Sequence, residues 1–115
     1  MTHALIVFTN LPDQATAATL AQRLVGERLA ACVSIMAPCQ SVYRWQGAIE
    51  SAGEVPLLIK TTADRYEALQ AAILESHPYE LPEILAVPVQ QGLESFLDWM
   101  NDETRPSPGS DEPAR

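Results

Sequence analysis

The sequence predicts an α+β domain of the ferredoxin-like class, with its elements in the order βαββαβ. Short apolar segments rich in β-branched residues alternate with two segments whose apolar residues recur at three- and four-residue steps. Turn residues separate these segments from one another. Two helices that cross back over four antiparallel strands must lie on one face of the sheet.

The first three predicted elements are a strand, a helix and a strand. Residues 4–8 are wholly apolar, which is typical of a buried strand. Asp13 is placed to cap the helix that follows, and this helix ends near Leu29. Residues 31–36 predict the second strand, which stops before Pro38. The apolar face of the helix comprises Ala17, Leu20, Ala21, Leu24 and Val25.

A hairpin is predicted next. Residues 41–45 and 55–61 are its strands, with turn signals at Gln46-Gly47 and at Ser51-Ala52-Gly53.

The second half of the pattern is a helix, a strand and a short final helix. Thr61 and Asp64 stand at capping-box spacing and open the second helix. Residues 84–89 predict the last strand, and residues 93–100 predict a C-terminal helix. The apolar face of the second helix comprises Tyr66, Leu69, Ile73 and Leu74.

The composition changes near the C-terminus. Residues 103–115 contain three prolines and no large apolar side chain. We therefore expect one domain over residues 1–102 and a disordered tail over residues 103–115.

Three of the predicted strands are apolar at consecutive positions, within residues 5–8, 57–59 and 84–87. A sheet with one solvated face would instead alternate apolar with polar residues. Because the two crossover helices cover only one face, a second copy of the chain is the simplest cover for the other. The sequence therefore predicts a homo-oligomer.

Charge and length exclude several classes of partner. The chain of 115 residues has a formal net charge of −8, which disfavours nucleic acids and anionic membranes. Its apolar segments are too short to cross a bilayer, and its N-terminus has no charged region typical of a signal peptide. Two cysteines are too few for a disulfide scaffold, so we expect a cytoplasmic protein with reduced thiols.

The two cysteines are interpreted differently. Cys32, in the second strand, is either a small buried side chain or a thiolate metal ligand. Cys39 follows seven residues later, a spacing that matches no zinc motif. It is most simply an incidental loop thiol.

The segment from His77 to Glu83 is the densest polar cluster in the chain. It holds an imidazole, two carboxylates and the phenol of Tyr79, and it is stiffened by Pro78 and Pro82. Imidazole and carboxylate together suit copper or zinc, and the same groups can hydrogen-bond a small polar ligand. A rigid connector without a ligand is the third interpretation.

Two further residues are candidates for a ligand-binding cleft. Trp45 lies on the hairpin, where aromatic side chains pack across strands or on a neighbouring subunit. Lys60 lies in an apolar strand, either at its solvated end or in a pocket where it pairs with Glu83 or a ligand. No catalytic signature such as GxSxG, HExxH or a glycine-rich phosphate loop is present.

Four motifs in register closely resemble the CutA divalent-cation-tolerance family over residues 4–100. They are LAACVSI at 29–35, YRWQG at 43–47, LIKTT at 58–62 and HPYELPEI at 77–84. The resemblance implies a ferredoxin-like subunit of a homotrimer, with sheets facing inward and hairpins reaching between subunits. It also implies binding of copper or another divalent metal, with Cys32, His77 and Glu83 as ligands. Phe8 and Ala72 stand where some members of the family carry further cysteines.

Two functions follow as hypotheses, and neither is enzymatic. The first is a trimeric divalent-metal-binding protein, in which no organic cofactor is expected. The second is a regulatory or scaffold trimer resembling the PII signalling proteins. Its subunit clefts would bind a small molecule or protein through Lys60, Tyr79, Trp45 and Glu83.

Overall fold

The computed structural model describes residues 3–106, which form five strands and three α-helices. In chain order they are β1 (Ala4–Leu11), α1 (Gln14–Gly26), β2 (Cys32–Ile35), β3 (Cys39–Trp45), β4 (Ala48–Thr62), a 3₁₀ turn (Ala63–Arg65), α2 (Tyr66–Ser76), β5 (Leu85–Pro88) and α3 (Glu94–Glu103). Within these residues no helix is long and apolar enough to cross a membrane.

The sheet has the strand order β2–β4–β1–β5, and every neighbouring pair is antiparallel. Strand β3 lies off this path and pairs only with the first half of β4. The order confirms the α+β, ferredoxin-like prediction, because β1 and β4, the strands from which the two crossover helices start, are central, and β2 and β5, the strands to which they lead, are at the edges. The last strand is shorter than the predicted 84–89 and spans only Leu85–Pro88.

The hairpin differs from the prediction in the length of its second strand. Ser51, Ala52 and Gly53 are not a turn, because they pair with residues 40–42 in the β3–β4 ladder. The only turn between these strands is at Gln46 and Gly47, whose φ angles are 49° and 82°. Two positive φ angles define the tight two-residue turn that matches strand twist. Strand β4 therefore runs without a break from the hairpin into the central sheet.

The start of α1 confirms the predicted cap. The side chain of Asp13 accepts a hydrogen bond of 2.8 Å from the backbone N–H of Thr16, which satisfies one of the free N–H groups at a helix start. The buried face is as predicted except at Val25, which is 43% exposed.

The predicted capping box at the start of α2 is wrong. Thr61 faces the core, where its hydroxyl donates to the carbonyl oxygen of Leu29 at 2.6 Å. The chain leaves β4 one residue later, where Thr62 donates to Asp64 as the 3₁₀ turn begins. Tertiary hydrogen bonding thus overrode the local capping signal.

The apolar face of α2 is also shifted from the prediction. Leu69, Ala72 and Ile73 are buried, whereas Leu74 is 52% exposed. Tyr66 packs at the edge of the core.

The two faces of the sheet differ in what covers them. Side chains such as Val7, Leu57 and Ile59 point toward α1 and α2 and are fully buried. We call the opposite side the open face: it carries Ile6, Phe8 and Asn10 of β1, Leu58 and Lys60 of β4, Cys32 and Ser34 of β2, and Leu85 and Val87 of β5. On it Phe8, Val87 and Leu85 are 36%, 44% and 61% exposed.

The C-terminal helix is longer than predicted and anchors the residues after it. Thr104 is fully buried, and its hydroxyl lies 3.2 Å from that of Thr62. Arg105 forms an ion pair with Asp64, in which Nη1 lies 2.6 Å from Oδ2. The expectation of disorder is therefore wrong for residues 103–105, and residues 107–115 lie outside the described part of the chain.

Candidate functional site

His77 ties the segment after α2 to the central strand. Its Nδ1 accepts a hydrogen bond of 3.1 Å from the backbone N–H of Tyr79. In a neutral imidazole the other nitrogen then carries the proton, and Nε2 donates to the carbonyl oxygen of Asn10 at 2.7 Å. The extended backbone of His77 (φ −82°, ψ 132°) is the conformation that a following proline favours. Both ring nitrogens are therefore engaged within the chain.

Asn10 joins His77 to Glu83. While its carbonyl oxygen accepts from His77, its side-chain amide donates to Oε1 of Glu83 at 3.3 Å. The predicted proximity of His77 and Glu83 is therefore found in the structure, with Asn10 between them. Glu83 is exposed, and a neutral amide does not neutralise its charge.

Tyr79 lies against the ring of His77, with the ring centroids 4.8 Å apart. Partial burial, followed by the hydrogen bond to Glu54, raises the pKa of Tyr79 to about 12. The phenol is therefore neutral at physiological pH and interacts with the carboxylate of Glu54.

A cleft of about 700 Å³ opens between the hairpin and the segment that leads into β5. The hairpin contributes Tyr43, Trp45 and Glu54, and the other wall includes Leu81 and Glu83. This volume lies in the range of small-molecule sites. Arg44 also lines the cleft, so its two carboxylates leave it a net charge of about −1. Aromatic faces and carboxylates both favour cationic groups, so the cleft is suited to a cation.

Cys32 and Lys60 lie elsewhere, on the open face. They are directly opposite each other in the β2–β4 ladder, with Sγ 3.9 Å from Nζ. Cys32 is half-buried and is not part of the helix-covered core. Cys39 is an exposed free thiol at the start of β3.

The structure thus brings some of the predicted site residues together and separates others. Glu83 and Trp45 line the cleft. His77 and Tyr79 do not line it but contact its lining residues Asn10 and Glu54. Within residues 3–106 no three His, Cys, Asp or Glu side chains form a group that could hold a metal ion. A site made of Cys32, His77 and Glu83 therefore does not fit within one chain, and His77 would have to release a hydrogen bond to bind a metal.

Asn10 and Glu54 were not predicted as site residues from the sequence. Alternation along β1 was an available signal, because it places Asn10 on the same face as Ile6 and Phe8. The contact of Glu54 with Tyr79 had no local signal, since it joins two segments far apart in the sequence.

The fold and the cleft define a class of small ferredoxin-like proteins with an uncovered apolar sheet face and, beside it, a cleft lined by aromatic side chains, two carboxylates and one arginine. Residues 5–103 match the family model described as CutA1 divalent ion tolerance protein, and the chain belongs to this family.

Curated and solved relatives agree with this assignment. The divalent-cation tolerance protein CutA of Yersinia pestis (strain Pestoides F) is 41% identical over 99 residues, which cover 86% of this chain and 83% of the relative. The crystal structure of CutA from Xylella fastidiosa is 42% identical with a TM-score of 0.87, covering 90% of this chain and 100% of that one. For the divalent cation tolerance protein of Thermus thermophilus the identity is 40%, the TM-score 0.87, and the coverage 89% and 99%.

Proposed function

We propose that this chain is the subunit of a cytoplasmic homotrimer that binds a divalent cation and so contributes to divalent-cation tolerance. The observation that carries cation binding is the carboxylate of Glu83 at the cleft. Within residues 3–106 neither Glu83 nor Glu54 forms an ion pair with a basic side chain. In a chain with a net charge of −8, such a cleft attracts cations. The names of the relatives support tolerance to divalent cations as the function.

The open face supports the proposed assembly. Phe8, Leu85 and Val87 leave a contiguous apolar surface in contact with solvent when the chain is alone. Apolar patches of this kind are typical of protein interfaces. Inward-facing sheets in a trimer would bury this surface.

Copper is the first candidate cation, and Cys32, His77 and Glu83 are the proposed ligands. Thiolate and imidazole both suit copper and zinc better than magnesium or calcium. Because one chain keeps Cys32 away from the cleft, a shared site requires ligands from more than one subunit. Glu83 is the most accessible of the three, whereas His77 must first give up a contact to Tyr79 or Asn10.

Titration calorimetry with Cu²⁺ and Zn²⁺, on protein whose mass is measured by light scattering, tests the proposal. We expect stoichiometric binding to the trimer that weakens in Glu83→Gln and in Cys32→Ser. Cys39→Ser is the matched control, because it removes an exposed thiol outside the proposed site. Absence of cation binding to the trimer, or equal binding by all variants, would contradict the proposal.

The PII-like alternative is not favoured, because the relatives are named for divalent-cation tolerance. None of those names describes an enzyme, and we propose that the chain acts by binding. Nucleotides added in the same calorimetry would reveal a small-molecule ligand.

A further inference from the structure

Lys60 is the only lysine of the chain. The open face is formed by β1, β2, β5 and the half of β4 that pairs with β1. Within residues 3–106, Lys60 is the only charged side chain that these strands place on it. It is half-buried, and no carboxylate in this part of the chain lies within 4.0 Å of it. Its ammonium group contacts the thiol of Cys32, at 3.9 Å. A neutral thiol does not balance an ammonium group, so Lys60 carries an uncompensated positive charge.

Glu83 carries an uncompensated negative charge near the other end of the same face. Lys60 is opposite Ile6 in the β1–β4 register, whereas Glu83 contacts Asn10, further along β1. Four residues of extended strand span about 13 Å. Lys60 lies on β4 and Glu83 precedes β5, on opposite sides of β1, so the two charges are separated further, and within residues 3–106 they form no ion pair with each other.

No other carboxylate on this side is equally available. Glu54 is the nearest alternative, because it lies on the same side of β4 as Lys60, in the half of that strand that pairs with β3. Its carboxylate already interacts with the phenol of Tyr79. Glu83 has only the neutral amide of Asn10 as a partner within residues 3–106.

Covering the open face with a second copy would remove the ammonium of Lys60 from water. Burial of an unpaired charge is strongly unfavourable, whereas a hydrogen-bonded partner of opposite sign offsets much of the cost. In a closed ring of three identical subunits, every contact joins two different patches of the chain. Lys60 and Glu83 lie at opposite ends of the open face, so they are two different patches that such a contact could join.

We propose that Lys60 of one subunit forms an ion pair with Glu83 of the neighbouring subunit, so that each cleft is completed by the next chain. This inference rests on the proposed homotrimer. A divalent cation that binds Glu83 would then compete with Lys60 for the same carboxylate.

Zero-length carbodiimide cross-linking tests the pair directly, because the reagent joins an amine to a carboxylate in contact with it. In protein shown to be trimeric by light scattering, we expect covalent dimers and trimers on denaturing gels. Mass spectrometry of the digested product should identify a peptide that links Lys60 to Glu83. The cross-link should disappear in Lys60→Arg, which keeps the charge but cannot form the amide, and in Glu83→Gln. It should persist in Glu80→Gln, an exposed carboxylate of the same segment.

Reversal of the charges distinguishes a pair between chains from a pair within one chain. Lys60→Glu and Glu83→Lys should each weaken assembly by roughly tenfold or more, because each places like charges together. When the two variants are mixed, a chain with the first substitution can meet a chain with the second. The two substituted positions then carry opposite charges again, and assembly should recover in part. A pair within one chain would give no recovery on mixing.

Two results would overturn the inference in different ways. An intact trimer that gives no Lys60–Glu83 cross-link, or that tolerates both charge reversals, would refute the ion pair while leaving the proposed trimer in place. A wild-type protein that is monomeric at micromolar concentration would refute the trimer and the ion pair together.

Discussion

Replacement of Asp64 by asparagine is expected to destabilise the protein by about 1 kcal/mol at neutral pH. The hydrogen bond from Arg105, followed by that from Thr62, lowers the pKa of Asp64 from its ordinary 3.8 to about 2. A difference of this size corresponds to at most ~2.5 kcal/mol. The side chains of Arg105 and Asp64 are 37% and 43% exposed, so solvent screening reduces the contribution to ~1 kcal/mol.

The effect should depend on pH in a defined direction. The pKa of Asp64 is lower in the folded state, so its contribution is fully present above the unfolded value of 3.8 and is lost as the pH falls toward 2. Urea unfolding at fixed protein concentration measures the difference between wild type and Asp64→Asn. We expect this difference to shrink to roughly half by about pH 3. Glu67→Gln, an exposed acid on α2, should change the free energy of unfolding by less than ~0.5 kcal/mol.

A double-mutant cycle with Arg105→Gln isolates the ion pair. Arg105→Gln alone should cost more than Asp64→Asn, because the guanidinium also donates to the carbonyl oxygen of Asn101 and to the hydroxyl of Thr62. The coupling energy should be ~1 kcal/mol and should vanish when Asp64 is protonated. Zero coupling at neutral pH, or a coupling that does not change as the pH falls to about 2, would refute the reasoning.

Three further outcomes are expected. Leu58→Glu on the open face should abolish trimers and leave no stably folded monomer by light scattering and circular dichroism, whereas Val25→Glu on an exposed position of α1 should assemble normally. Gly47→Ala should lower the free energy of unfolding by about 1 kcal/mol, because an alanine disfavours a φ of 82°, and a stability equal to wild type would contradict that assignment. Folding raises the pKa of Tyr79 from 10.0 to about 12, so stability should fall as the pH rises through this range. Tyr79→Phe should reduce this fall in alkaline urea titrations, and an unchanged slope would exclude Tyr79 as its source.

Local patterns in the sequence predicted the parts of the fold that local physics controls. Asp13 caps α1 as expected, because its side chain reaches an N–H group only three residues away. The consecutive apolar positions around Phe8 and Leu58 correctly indicated a sheet with two apolar faces. Where a distant contact competes with a local one, the prediction failed. Thr61 bonds to Leu29 instead of capping α2.

The candidate site was predictable only where residues close in the sequence determine it. Pro78 and Pro82 mark the rigid segment, so the grouping of His77, Tyr79 and Glu83 follows from neighbouring residues. The position of Cys32 opposite Lys60 depends on strand register, which the sequence does not specify by itself.

The connectivity of β1 has a consequence for the order of folding. Phe8 pairs with Leu58 on one side and with Leu85 on the other. The central strand β1 can therefore complete its pairing only after two segments distant in sequence have reached it. The β3–β4 hairpin closes through a two-residue turn, so its strands are close together in the sequence and can pair quickly. Refolding should therefore produce the hairpin early and add β5 late. The cleft wall that contains Glu83 leads directly into β5. It should therefore become ordered only when β5 pairs with β1, late in folding.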